Sequence, residues 1–328
     1  MKKNSKNIQE IAKKTIRNEA KAIANLEKFV DSDFSDVVEC ILNMKGRLIV
    51  TGIGKSANIG TKLVSTLNST GTPAVFMHAA DAIHGDLGII QEGDLVLCIS
   101  KSGSTPEIKV LVPLIKNFGN KIVALVGNIN SYLAQQADFV LNCTVECEAC
   151  PNNLAPTASS TAQLVMGDAL AMALLDCRGF SAEDFGKLHP GGSLGKQLYL
   201  HVSDLSANNG KPQVSPETPL KDVILEMTGK RLGATAVVEN NKLVGIVTDG
   251  DLRRLMQGVG AGHAPPLQDV LAKDIMGTSP KTILHTEMAV NAVEIMRKNG
   301  ISQLLVVNDA DEYLGVIHFH DLLREGIV

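Results

Sequence analysis

The sequence predicts an α/β protein: a parallel sheet sandwiched by helices, followed by two tandem copies of a smaller β-α unit. Short continuous apolar runs such as DLVLCI at 94–99 read as strands buried on both faces, and they alternate with segments whose apolar residues recur at helical spacing. Alternation of this kind implies a parallel sheet covered on both sides, with ligands at the carboxyl ends of its strands. Beyond residue 200 the chain repeats itself at a spacing of 70: LVGIVTDGDLRR at 243–254 aligns with YLGVIHFHDLLR at 313–324, and SDL at 203–205 with KDI at 273–275. Units of about sixty residues bury little apolar surface singly, so the two are expected to pack as a pair.

Taken in order, residues 5–45 predict two helices. Ile8, Ile11, Ile16, Ile23 and Leu26 approximate one apolar face, and DSDFSD at 31–36 supplies the break and caps. A strand over 47–51 leads into the turn GIGKS at 52–56 and a helix ending near Asn68. Strands follow at 74–77, 94–99 and 121–126, with a short fifth at 137–141, and a long helix over 159–177 closes the unit. The polar stretch SANNGKP at 206–212 reads as a linker or loop. Each repeat then offers a helix and a β-rich run, at 234–238 and 304–307. The expected boundaries are 1–200 for the first domain and 203–262 and 269–328 for the repeats.

Composition narrows the function. With 328 residues, 20% of them charged, and a net charge of −4, the chain is globular and carries no basic footprint for nucleic acid. No Trp and three Tyr argue against a base-stacking surface. The N-terminal MKKNSKNIQE is polar, without the apolar core of a signal peptide, and the longest candidate span, 169–175, is seven residues. A cytoplasmic protein that neither enters nor spans a membrane is expected. Of six cysteines, Cys143, Cys147 and Cys150 cluster in one loop. No fourth ligand stands at zinc-site spacing, so reduced thiols are expected there rather than metal.

The chemistry is expected where the 94–99 strand ends. SKSGSTPE at 100–107 is a hydroxyl-rich turn with one Gly, and Pro106 suits the first turn of a following helix. Ser100, Ser102, Ser104 and Thr105 then converge with free N–H groups at a helix N-terminus, a setting that favours an anion; an ordinary capped turn would use the same residues. GIGKSA at 52–57 fits neither standard phosphate motif. A P-loop needs Gly at position 49, where Ile49 stands, and a dinucleotide fingerprint wants an acid where Met77 and His78 stand. What remains is a second strand–turn–helix carrying Lys55 and Ser56 at the same sheet edge. His78, His84 and His189 lie on turns around that edge, and Glu107, Glu146 and Glu148 add carboxylates. Imidazoles and carboxylates beside a phosphate site can move a proton on a sugar phosphate.

The segments TGIGKS, STLNSTGTP, HGDLG, SKSGSTPE, EACPNNLAPTASSTAQLVMGDALA and EDFGKLHPGGSLGK resemble the sugar isomerase (SIS) domain of the arabinose-5-phosphate isomerases. The repeat over 203–328 resembles a CBS-domain pair, and the order of the two is also that family's. The resemblance covers nearly all of the chain from Asn18 onward; LHPGG and EACPNNLAPT are its specific parts, whereas a Ser/Thr cradle is generic to SIS domains. Lys101 and Ser104 depart from it, since an Asn or an acid is usual in that stretch, and Cys143 and Cys147 lie outside the pattern. The fold class implied is an SIS-type parallel sheet between helices, followed by two tandem CBS units.

The resemblance implies reversible conversion of D-ribulose 5-phosphate to D-arabinose 5-phosphate, the precursor of the lipopolysaccharide sugar 3-deoxy-D-manno-octulosonate (Kdo). It implies an enediol mechanism with no required metal or redox cofactor. Lys55, Glu107, Glu148 and His189 match catalytic positions, with the choice of Glu as base left open. Ser56, Ser100, Ser102 and Thr105 would hold the phosphate, with Gly71, Thr72, His78 and His84 as further substrate contacts. His78 is also expected to take up adventitious, inhibitory zinc at the mouth of the site. His189 follows the long closing helix and can be donated to a neighbouring subunit, consistent with an expected homotetramer. In the first CBS unit Thr248 and Asp251 preserve a ribose-binding Gly-x-x-Thr-x-x-Asp signature, while His318 replaces the Thr in the second. Two readings of the pair stand: a pocket for a nucleotide or nucleotide-linked sugar, or padding of the oligomer. The rival functions are a non-catalytic sugar-phosphate sensor, for which a basic recognition helix is lacking, and an isomerase of another phosphosugar.

Overall fold

Each apolar run in the first half is long enough to cross a sheet once, and most of the intervening helices have one apolar stripe with which to cover it. The computed structural model describes residues 5–260 and 266–328, and its contacts divide the chain into a unit ending at Phe185 and a second beginning at Gly186. The first unit opens with α1 (Ser5–Asn25) and α2 (Ser32–Asn43), the latter capped by Asp31, whose carboxylate accepts the Asp33 N–H at 3.1 Å. There follow β1 (Leu48–Gly52), α3 (Lys55–Ser69), β2 (Ala74–His78), α4 (Ala79–Ala82), β3 (Leu95–Ser100) and α5 (Pro106–Asn117). Then come β4 (Ile122–Val126), α6 (Tyr132–Gln136), β5 (Phe139–Asn142), α7 (Ala158–Cys177) and α8 (Ala182–Leu188), which crosses the division.

The five strands form one parallel sheet in the order β2-β1-β3-β4-β5. After β1 the chain lays β2 on one side and then returns to lay β3 on the other. The crevice at the carboxyl ends of β1 and β3 is therefore the switch point, where α/β sheets bind ligands. Register places Gly52 beside both His78 and Ile99, so the turns after β1, β2 and β3 share one edge. The period-2 alternation of the strands divides the core. Leu48, Val50, Leu95, Leu97, Ile99, Val123 and Leu125 join α2, α3 and α7 on one face; Ile49, Val96, Cys98, Ile122, Ala124 and Val126 join α4, α5 and α6 on the other. Each buried Val, Leu or Ile contributes about 1.5–3 kcal/mol of burial free energy.

The longest helix of the core, α7, packs against α1, α2 and α3. It is long and apolar enough, by length and composition, to cross a membrane, which its seven-residue central run did not reveal; here half of it is buried inside the unit. It also carries polar, fully buried Ser159 and Gln163 one turn apart. Their task belongs to the site.

The second unit contains α9 (Ser193–Tyr199), α10 (Val202–Ser206), β6 (Gln213–Val214), α11 (Leu220–Lys230), β7 (Ala234–Glu239), β8 (Lys242–Thr248) and α12 (Asp249–Gly260). The second repeat follows with α13 (Ala272–Ile275), β9 (Thr282–Leu284), α14 (Ala289–Asn299), β10 (Gln303–Val307), β11 (Tyr313–His318) and α15 (Phe319–Arg324). Each repeat forms one three-stranded sheet, β6-β7-β8 and β11-β10-β9, with a parallel first pairing and an antiparallel hairpin. The repeats pack as a pair: Leu232 and Ala236 share one cluster with Leu305, Tyr313 and Val316. Their leading helices are exchanged. Val202 and Leu205 of α10 lie in the core of the second repeat, and Ala272 of α13 lies in the core of the first.

The contact division at 185/186 leaves α9 with the second unit, where it is tied to the chain's end by a Lys196–Glu325 ion pair at 2.8 Å and a Gln197-to-Ile327 carbonyl bond at 3.1 Å. Of the two readings of 206–212, a linker or a loop, the loop is the one formed: beyond α10 the stretch is irregular, and Asn209 donates to the Val316 carbonyl at 3.0 Å and to Asp321 at 2.6 Å. The expected end of the first repeat, residue 262, lies outside the described residues.

Candidate active site

Two strand–turn–helix connections flank the switch point. After β1 the chain turns at Gly54, whose φ of +59° suits glycine, and α3 begins at Lys55 with Ser56 in its first turn. After β3, Ser100 Oγ accepts the Gly103 N–H at 3.1 Å, and Ser102 Oγ accepts the Ser104 N–H at 3.4 Å. Hydroxyls that accept from the backbone keep their own hydrogens for an anion. Gly103 has φ +61°, and a Cβ there would meet Ser131 Oγ at 2.0 Å, so the turn admits glycine alone. Thr105 precedes α5 without capping it; its Oγ1 is buried and has no protein partner. Glu107 stands half-buried in the first turn of α5.

These turns enclose a cavity of about 290 Å³, whose lining includes Lys55, Ser56, Ser100, Ser102 and Thr105. Lys101, Ser159 and Gln163 line it too, and sequence reasoning did not select them. A signal existed for each: a cation inside the cradle motif, and two polar residues four apart in an apolar helix. A cavity of similar size, about 270 Å³, between α1 and the loop after β5 has no such cradle, and its Lys21 and Glu146 are already paired at 2.8 Å.

Glu148 lies behind the cavity with its side chain 1% exposed. One carboxylate oxygen takes the Lys101 ammonium at 2.5 Å and the Ser159 hydroxyl; the other takes the N–H groups of Thr157 and Ser159 at 2.8 and 3.2 Å and the Thr157 hydroxyl. It thus serves as the N-terminal counter-charge of α7, supplied from a loop. Burial pushes its pKa up, but Lys101, Ser159 and the two N–H groups outweigh burial and hold it at about 2.

The other expected residues divide by position. His78 ends β2 at the same edge, with Nδ1 3.6 Å from Asp81 and lacking a hydrogen-bond partner; His84 follows in the turn after α4. Among the described residues no three His, Cys, Asp or Glu side chains gather as a metal site. Gly71 and Thr72 precede β2, at the amino edge, a strand length of roughly 17 Å from the cradle of the same chain. One chain therefore does not bring them to its own cavity. There Gly71, with φ +84°, leaves room for Phe180, whose ring a Cβ would meet at 2.7 Å, and Thr72 is wholly buried. His189 belongs to the second unit, in the turn between α8 and α9. In the first CBS unit Thr248 Oγ1 donates to Asp251 at 2.6 Å, and Arg254 pairs with the same carboxylate, so the two signature residues meet.

Comparison with known proteins matches residues 41–173 to the SIS domain and residues 202–258 and 272–327 to the CBS domain. Arabinose 5-phosphate isomerase KdsD of Pseudomonas aeruginosa is 46% identical, over 97% of this chain and 96% of its own. The chain belongs to the arabinose 5-phosphate isomerase family. Another member, KdsD of Yersinia pestis, is 43% identical over 98% of this chain and 96% of its own. Among solved structures, an Escherichia coli CFT073 protein in complex with arabinose 5-phosphate is 38% identical with a TM-score of 0.54; 57% of this chain covers all of it. That solved chain matches 57% of this one, whereas here two CBS units follow the SIS domain.

Proposed function

We propose that this protein interconverts D-ribulose 5-phosphate and D-arabinose 5-phosphate, supplying Kdo and lipopolysaccharide synthesis. The observation that carries the reading is the cradle of Ser100, Ser102 and Thr105, with Lys55 and Ser56, at the switch point of a sheet shared with a relative solved with arabinose 5-phosphate. The phosphate is held by hydroxyls, helix N-termini and one cation, which leaves the sugar's carbonyl end to the acid–base groups. A base removes the proton alpha to the carbonyl, the enediol forms, and the proton returns to the neighbouring carbon.

Of the two glutamates, Glu107 fits the proton-transfer role better. Glu148 has all its lone pairs engaged and stays ionised far below neutral pH, whereas a useful base has a pKa near the working pH. The Glu148–Lys101 pair instead fixes the floor of the site and the start of α7. The test is direct: incubate the protein with D-ribulose 5-phosphate and detect the aldose. No aldose from folded protein would turn the reading toward a sugar-phosphate sensor.

The proposed chemistry is cofactor-free, and zinc at His78 is read as inhibitory. Full turnover in chelator is expected; loss of activity on metal removal, restored by adding metal back, would overturn that. The proposed compartment is the cytoplasm, which suits six free cysteines. The proposed assembly is a homotetramer with His189 supplied across a subunit boundary.

A further inference from the structure

Two side-chain groups lining the cavity are buried and have no hydrogen-bond partner: Thr105 Oγ1 and Gln163 Nε2. Gln163, 3% exposed on α7, meets Ser56 across the cavity wall, with Ser56 Oγ and Gln163 Oε1 3.2 Å apart. A carboxamide has two orientations that fill the same space and differ only in which end faces Ser56. With oxygen toward Ser56, the serine hydrogen is spent on Gln163, both amide hydrogens are buried without an acceptor, and Ser56 shows only lone pairs to the cavity. That polarity repels an anion. With nitrogen toward Ser56, one amide hydrogen gains its acceptor and the orphan becomes a carbonyl, the less unusual case. The Ser56 hydrogen is then left to face the cavity beside those of Ser100 and Ser102.

We propose that Gln163 is a positioning residue for the substrate phosphate, donating from Nε2 to Ser56 Oγ so that the Ser56 hydroxyl hydrogen points at a phosphate oxygen. The unpartnered Thr105 Oγ1 in the same cavity independently marks a place where a ligand oxygen completes the bonding. The inference rests on the isomerase reading for its substrate and on the cavity alone for its geometry. No part of it requires Gln163 to touch the sugar.

The experiment is a double-mutant cycle on the full chain with Ser56→Ala, Gln163→Met and the pair. It reads kcat and KM for D-ribulose 5-phosphate, and by calorimetry the Kd of inorganic phosphate. Gln163→Met is expected to raise KM and the phosphate Kd about five- to tenfold with kcat within about twofold, and to change neither in the Ser56→Ala background. Equal factors in both backgrounds, or an unchanged KM in the wild-type background, overturn the proposal. Gln163→Asn, which keeps the amide but falls a methylene short of Ser56, should reproduce Gln163→Met and serves if that variant melts early. If wild type makes no aldose, the isomerase reading fails, while the phosphate Kd cycle still decides the role of Gln163.

Discussion

Glu107 and Glu148 are the same residue type in different surroundings, and their variants should fail differently. Glu107→Gln is expected to lower kcat by at least about 10²-fold with melting temperature unchanged, since it removes a proton-transfer group and no packing. Near-wild-type turnover would take Glu107 out of the mechanism. Glu148→Gln should instead lower stability, because it unpairs Lys101 and the α7 N-terminus. The folded pKa of Glu148, about 2, lies below its unfolded value of about 4.5, so its contribution is complete above pH 4.5 and is lost as pH falls through 2. A shift of that size corresponds to about 3 kcal/mol at neutral pH. Denaturant melts of wild type and Glu148→Gln should therefore differ most above pH 5 and converge on acidification. A gap that stays constant down to pH 3 would deny Glu148 its anchoring role.

At the scale of the element, the cradle depends on a turn that only glycine can make. Gly103→Ala must place a methyl group on Ser131 Oγ and hold an alanine at φ +61°. A loss of about 1–3 kcal/mol in stability is expected, together with a raised KM, because the same turn aims Ser100 and Ser102. Gly54→Ala is the control: its φ of +59° is equally left-handed, but no atom lies within 4 Å of the added Cβ. It should cost only the backbone term and therefore less than Gly103→Ala. Equal losses from the two substitutions would show that the Ser131 contact is unimportant.

For the whole molecule, the two units pose separate questions. If His189 is supplied across a subunit boundary, mixing inactive Lys55→Ala with inactive His189→Ala chains should restore part of the activity once exchange is verified. No recovery after verified exchange would mean that each chain completes its own site. In the CBS pair, Thr248 donates to Asp251, Asp251 also pairs with Arg254, and Asp321 is engaged with Asn209 and Arg324. A nucleotide therefore has to displace internal bonds to use either carboxylate. Calorimetry with a nucleotide panel on wild type and Asp251→Ala is expected to show at most one site per chain, abolished by the substitution. No heat from any nucleotide at millimolar concentration would leave the pair a purely structural role.

The strands, the long closing helix, the repeat and the SKSGSTPE cradle were legible in the sequence, because period-2 and period-3.6 burial, turn chemistry and internal duplication are local properties. So was the placement of Lys55 and Ser56 at the start of the helix that follows β1. Three things were decided only by the tertiary structure. Lys101, Ser159 and Glu148 become one ion-paired cluster because a loop after β5 folds back onto the start of α7, a contact no spacing encodes. Gly71 and Thr72 part from the cradle because a parallel strand separates its own two ends, whatever motif they belong to. The leading helices of the CBS repeats exchange partners, Val202 and Leu205 entering the second core and Ala272 the first, and which core a helix joins is a property of the assembled fold.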